Sequence, residues 1–195
     1  MQAEVDRVEL PPEARHLVLV GMMGCGKSTV ARLLGQQLKL GVLDSDDEVT
    51  IRAGCSIADF FAHRGEAAFR RLEAAVISDA LYDSRQVLAL GGGAMEPAST
   101  RMLLSTRAIT FWLNVPIERL WQRLCADKAQ LRPMLQVSNP KARLAELLKR
   151  RQANYACADI MVDVDTQTPE AVAALMVKEL VTRFGADAGH SVYSR

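Results

Sequence analysis

Near the start of the chain, Gly21-Met22-Met23-Gly24-Cys25-Gly26-Lys27-Ser28 has the spacing G-x-x-x-x-G-K-[ST]. Glycines so placed let backbone N–H groups turn inward onto an anion. A lysine ending such a loop reaches outer phosphates, and the hydroxyl after it can sit on Mg²⁺. An apolar run of strand type, residues 16–20, precedes the loop, and a helical pattern opens at Lys27. The positive end of that helix dipole then faces the same anion. Strand, glycine loop and helix in this order make a phosphate-binding loop, not a turn with a chance lysine.

Four further groups could do chemistry. In Asp44-Ser45-Asp46-Asp47, two carboxylates stand one residue apart at the end of a predicted strand. One could hold Mg²⁺ and the other align or deprotonate a hydroxyl. Alternatively they only cap the next helix, a role that suits Asp47. In Gly65-Glu66-Ala67-Ala68-Phe69-Arg70-Arg71-Leu72-Glu73, Glu66, Arg70 and Glu73 share one helix face. They form either a solvated ladder or a rigidly held arginine that can fork a carboxylate. Gly91-Gly92-Gly93-Ala94 follows an apolar run. It is either a close ligand approach to backbone or a plain turn. Lys149-Arg150-Arg151 ends a helical pattern, where the dipole alone favours cations.

Alternating elements must position these groups. Strands are predicted over 16–20, 41–44, 86–90, 108–114 and 159–164. Helices are predicted over 27–39, 46–53, 56–63, 65–82, 97–105, 116–126, 140–156 and 169–183. Ser56 and Asn139 can cap, and Pro116 and Pro169 fit first-turn positions. The nearly all-apolar run from Ala108 to Val115 suits a buried parallel strand. The expected fold is α/β, a parallel sheet with helices on both faces and ligands at the C-terminal strand ends. One domain spans residues 15–184, with a loose leader (1–14) and a frayed tail (185–195). The polar segment 127–139, with Arg132 at its centre, has the length and composition of a lid that closes on a transferring phosphoryl group.

The net charge of +1 gives no case for nucleic acid or an anionic membrane, and no apolar run is long enough to span a bilayer. The acidic N-terminal segment is not a secretory signal. Cys25, Cys55, Cys125 and Cys157 lie far apart and read as reduced cytosolic thiols. Cys25 is either a small loop residue or a thiolate favoured by its lysine and helix N-terminus, hence sensitive to oxidants. No feature demands an oligomer, so a cytoplasmic monomer is expected.

In order along residues 16–184, the chain carries G-x-x-x-x-G-K-S-T, D-S-D, G-E-x-x-F-R-x-x-E, G-G-G-A, R-P-x-L and R-x-x-x-Y. With these it resembles the shikimate kinases, nucleoside-monophosphate-kinase-like P-loop enzymes. The resemblance implies a five-stranded sheet in order 2-3-1-4-5 and a three-layer α/β/α fold. It implies transfer of the γ-phosphoryl group of ATP to the 3-hydroxyl of shikimate, on the route to chorismate and the aromatic amino acids. By this resemblance Gly24, Cys25, Gly26, Lys27, Ser28 and Thr29 hold the nucleotide phosphates, and Ser28 and Asp44 serve Mg²⁺. Asp46 contacts the ring hydroxyls and is the candidate base. Arg70 and Arg151, with backbone from Gly92 and Gly93, grip the substrate carboxylate. Arg132 acts on the phosphates, Arg123 packs on adenine, and the loop 165–169 lies near the adenine.

Two rivals stand beside this reading. A gluconate-kinase-like enzyme would share the phosphate loop without needing Arg70, Glu73 and the glycine triplet. A non-catalytic nucleotide-binding regulator would be expected to lack one of Lys27, Asp46, Arg70, Arg132 or Arg151, and all five are present.

Overall fold

In the computed structural model, residues 16–126, 135 and 137–184 are described. The strands are β1 (His16–Val20), β2 (Gly41–Asp44), β3 (Gln86–Ala89), β4 (Ala108–Asn114) and β5 (Ile160–Asp163). The helices are α1 (Lys27–Leu38), α2 (Ser45–Ala53), α3 (Ile57–Tyr82), α4 (Ala98–Arg107), α5 (Ile117–Ala126), α6 (Pro140–Tyr155) and α7 (Pro169–Phe184). The strands form one parallel sheet in order β2-β3-β1-β4-β5, as expected. The expected leader, tail and Arg132 lie outside the described residues, as does most of the expected lid.

Burial explains the strand order. β1 is buried at every residue and β4 at all but Asn114, so both occupy the interior of the sheet. β2 starts with two exposed residues and β5 alternates buried with exposed, as suits edges. The main core takes in Leu34 and Leu180, from the mutually packed α1 and α7, together with Leu81 and Leu144. A second cluster of Val49, Phe60, Phe69 and Val76 locks α2 against α3. Burying a phenylalanine side chain stabilises by about 1.5–3 kcal/mol. Phe60 and Phe69 therefore hold in place the two helices that carry Asp46 and Arg70.

The predicted caps form. Ser56 Oγ accepts from Asp59 N at 3.1 Å and Asn139 Oδ1 from Ala142 N at 3.1 Å. The two helices expected over 56–63 and 65–82 follow each other along Ile57–Tyr82, separated by a kink at Gly65. Gly65 has φ 73° and ψ 171°, a conformation in the left-handed half of the map that glycine adopts readily. Among the described residues no helix is long and apolar enough to cross a membrane.

Candidate active site

β1, β2 and β3 end side by side, and their C-terminal ends open into a cleft of about 920 Å³. Lys27, Ser28, Asp44, Asp46, Arg70 and Arg151 all line it. Gly24, Gly26, Thr29, Gly92, Gly93 and Arg123 line it too, so one cavity gathers segments from across the chain.

The glycine loop leaves β1 through Gly21, Gly24 and Gly26, all at positive φ (141°, 79° and 97°). A Cβ on Gly21 would lie 2.8 Å from Leu113 O. The loop therefore presses against the end of β4, and only glycine fits there. Lys27 Nζ donates to the carbonyls of Gly21 and Met22, both at 3.0 Å, and so folds back over the loop. Arg123 Nη1 donates to Cys25 O at 3.2 Å, which ties α5 to the phosphate loop. One turn earlier on α5, Arg119 Nε donates to Asp165 at 3.0 Å. Arg123 and the 165–169 loop thus share one side of the phosphate loop. Cys25 is buried, with Lys27 Nζ 3.6 Å from its sulfur. Its enclosure fits the small-residue alternative better than an oxidant-accessible thiol.

On β2, one residue both caps a helix and meets the phosphate loop. Asp44 Oδ1 accepts from Asp46 N at 3.0 Å and caps α2. Its Oδ2 accepts from the Ser28 hydroxyl at 2.5 Å. Two hard oxygen donors thus meet beside the phosphate loop. That set suits Mg²⁺, which takes one or two protein oxygens and fills its shell with water and phosphate oxygens. No cluster of three or more His, Cys, Asp or Glu fit for a metal occurs among the described residues. Asp47, exposed in the first turn of α2, lies at the cleft wall.

Ser45, fully buried, accepts from Gly91 N at 2.8 Å and joins the ends of β2 and β3. A Cβ on Gly91 would lie 2.6 Å from Glu73 Oε1 and 2.7 Å from Asp46 Oδ1. Two carboxylates from different helices thus converge on this glycine. The missing side chain at Gly91 makes room for these acids.

The Glu66–Arg70–Glu73 face resolves unequally. Arg70 Nη1 donates to Glu73 Oε2 at 2.6 Å, and Glu73 is buried. Glu66 stands 3.5 Å away and is largely exposed. Burial pushes the Glu73 carboxyl above its ordinary range; Arg70 pulls it down, and the nearby Asp46 charge adds to the rise. The Arg70 ring neighbour is Phe69, with Cζ 5.3 Å from the ring centroid. Held on one edge by a buried acid, Arg70 is a rigid arm and not a solvated ladder rung.

Arg151, on α6, is only 2% exposed. Its Nε donates to Glu96 Oε1 at 2.7 Å, and Arg150 reaches the same carboxylate at 3.3 Å. One turn on, the Tyr155 hydroxyl donates to Gly92 O at 2.5 Å. Burial pushes that hydroxyl well above the ordinary tyrosine range, so it remains a donor. Sequence reasoning missed Glu96. It stands 55 residues from Arg151 with no periodic relation to it, so no local signal marks the pair.

One cleft thus holds a phosphate loop, two arginines at a glycine triplet that lies against that loop, and Asp46. The shikimate kinase family profile matches residues 23–181, most of the chain. The chain belongs to the shikimate kinase family. A shikimate kinase of Synechococcus sp. (strain CC9605) is 42% identical over 159 residues, covering 82% of this chain and 79% of the relative. One from Shewanella amazonensis is 41% identical over 169 residues, covering 86% and 98%. Among solved structures, shikimate kinase from Acinetobacter baumannii in complex with shikimate superposes with a TM-score of 0.83 at 34% identity, covering 87% of this chain and 94% of that one. The enzyme from Aquifex aeolicus gives 0.77 at 31% identity, covering 89% and 99%. Like these shikimate kinases, the chain has a P-loop kinase fold.

Proposed function

We propose that this shikimate kinase family member transfers the γ-phosphoryl group of ATP to the 3-hydroxyl of shikimate, giving shikimate 3-phosphate and ADP. One observation carries the acceptor side of this reading. Arg70 and Arg151, from helices α3 and α6, reach Gly93 and Gly92 of the glycine triplet, at the wall of the same cleft that the phosphate loop lines. Two guanidinium groups suit a small carboxylate, and the distance across one cleft suits a small alcohol.

Lys27 and the N–H groups of residues 24–29 hold the nucleotide phosphates. Ser28 and Asp44 are the oxygen donors for Mg²⁺, which when bound neutralises charge on the phosphates. Arg70 and Arg151 grip the acceptor carboxylate beside Gly92 and Gly93. Asp46 aligns the 3-hydroxyl and takes its proton as the oxygen bonds to the γ-phosphorus. The bond from that phosphorus to the bridging oxygen breaks, and ADP leaves with the electron pair. Arg123, anchored on the phosphate loop, borders the nucleotide side. Arg132 is assigned to the transferring group on its R-P-x-L motif alone. The same reading makes residues 15–184 one domain and the protein a cytoplasmic monomer.

ADP release is the direct test, with Mg²⁺ and ATP and either shikimate, gluconate or no acceptor. Turnover with shikimate alone is the expected result. Turnover with gluconate, or none with either despite intact ATP binding, would overturn the assignment.

A further inference from the structure

Glu96 lies three residues beyond the glycine surface, in the connection between β3 and α4. The connection is a stiff turn. Ala94 N donates to Gly91 O at 3.0 Å and Glu96 N to Gly93 O at 2.9 Å. Arg101, on α4, donates from Nη1 to the carbonyls of Met95 and Glu96, both at 2.7 Å. The Glu96 carboxylate is therefore fixed to the same turn that presents Gly92 and Gly93.

That carboxylate meets Arg151 on its Nε edge. A guanidinium is planar, so a partner on the Nε edge fixes the plane and leaves Nη donors to point elsewhere. Here Nη1 points to Gly92, 3.4 Å from where a Cβ on that residue would lie, at the cleft wall. Arg151 has a competing attraction. Its charge is felt at Glu73, the acid that holds Arg70 and sits beside Asp46.

We propose that Glu96 is a positioning residue for the acceptor: it holds Arg151 by the Nε edge and presents the Nη donors to the acceptor carboxylate. The proposal rests on the assignment of Arg151 to the acceptor carboxylate. It makes the turn after the glycine triplet part of acceptor recognition, through a residue that does not touch the acceptor.

Steady-state kinetics of the full chain, with each substrate varied in turn, test this in Glu96→Ala and Glu96→Gln. Glu96→Ala is expected to raise the shikimate KM about 10- to 100-fold, the scale of one lost charge-assisted hydrogen bond. The ATP KM and kcat should each stay within about threefold. Glu96→Gln, which keeps an oxygen acceptor, should recover part of the shikimate KM. A merely structural residue would show neither the split between KM and kcat nor the recovery. A shikimate KM within about twofold of the parent in Glu96→Ala, or equal rises in both KM values, overturns the proposal. Should Glu96→Ala fail to fold, Glu96→Asp, which withdraws the carboxylate by one methylene, is judged by the same criteria. No shikimate turnover in the parent would overturn the functional reading and this proposal together. Parent turnover with an unchanged KM in the variant overturns only this one.

Discussion

The guanidinium of Arg70 occupies the space that a side chain at position 93 would need. A Cβ on Gly93 would lie 2.5 Å from both Nη1 and Nη2 of Arg70. Gly93 has no positive φ, so its need for glycine comes from this contact and not from the backbone. Glu73 fixes Arg70 from the other side, and the arginine has no room to yield without breaking a buried pair.

Gly93→Ala should therefore displace Arg70 and raise the shikimate KM by about 10-fold or more, with little change in the ATP KM. Arg70→Ala should act in the same direction and further. Initial rates with each substrate varied decide this. Equal effects on both KM values would make Arg70 a purely structural residue.

Asp46 lines the cleft against Gly91, with Glu73 beside it. Asp46→Asn should lower kcat by at least about 100-fold while nucleotide affinity stays within about threefold. Turnover assays paired with calorimetric ATP titration separate the two. Near-normal turnover would remove Asp46 from the mechanism.

The two acids that hold the site arginines carry opposite pH signatures. Burial opposes ionisation of Glu96, but Arg151, Arg150 and Arg70 outweigh it and hold its carboxyl below the ordinary range. A depressed folded pKa gives stability that is present above the unfolded value and lost as pH falls through the folded one. Glu73, pushed up first by burial, has the reverse sign: its contribution is present below the unfolded value and lost as pH rises through the folded one. Glu96→Gln should therefore have a lower Tm than the parent at neutral pH. The gap should close as pH falls below the ordinary carboxylate range and the parent carboxyl protonates. Thermal unfolding across that range checks it, and a gap independent of pH would contradict the sign.

Cys25 is enclosed by the phosphate loop, whereas Cys125 and Cys157 are exposed. A bulky thiol alkylator should modify Cys125 and Cys157 first, and Cys25→Ala should lose activity in the alkylator at the parent's rate. Mass mapping of modified peptides against residual activity tests this. Selective survival of Cys25→Ala would show that the loop opens to expose the thiol.

Much of this site was legible in local spacing. The P-loop declares itself because its glycines, Lys27 and Ser28 are contiguous, and backbone geometry alone fixes what they can bind. The apolar runs of β1 and β4 gave the buried centre of the sheet, since a parallel strand covered on both faces has no polar alternation. What the sequence left open were choices between contacts made at long range. Asp44 could cap or bind, and the packing of β2 beside the phosphate loop puts one of its oxygens on the α2 cap and the other on the Ser28 hydroxyl. Arg70 could be a ladder rung or a rigid arm, and the burial of Glu73, with Glu66 left exposed, decided it. Gly91 and Gly93 could be turn residues, until side chains from α2 and α3 filled the space their missing Cβ atoms vacate. Glu96 carried no signal, because the ion pair that defines it joins residues far apart in the chain. Spacing within one element is set by helix and strand periodicity and can be counted along the sequence. Which acid meets which arginine across elements is set by how those elements pack.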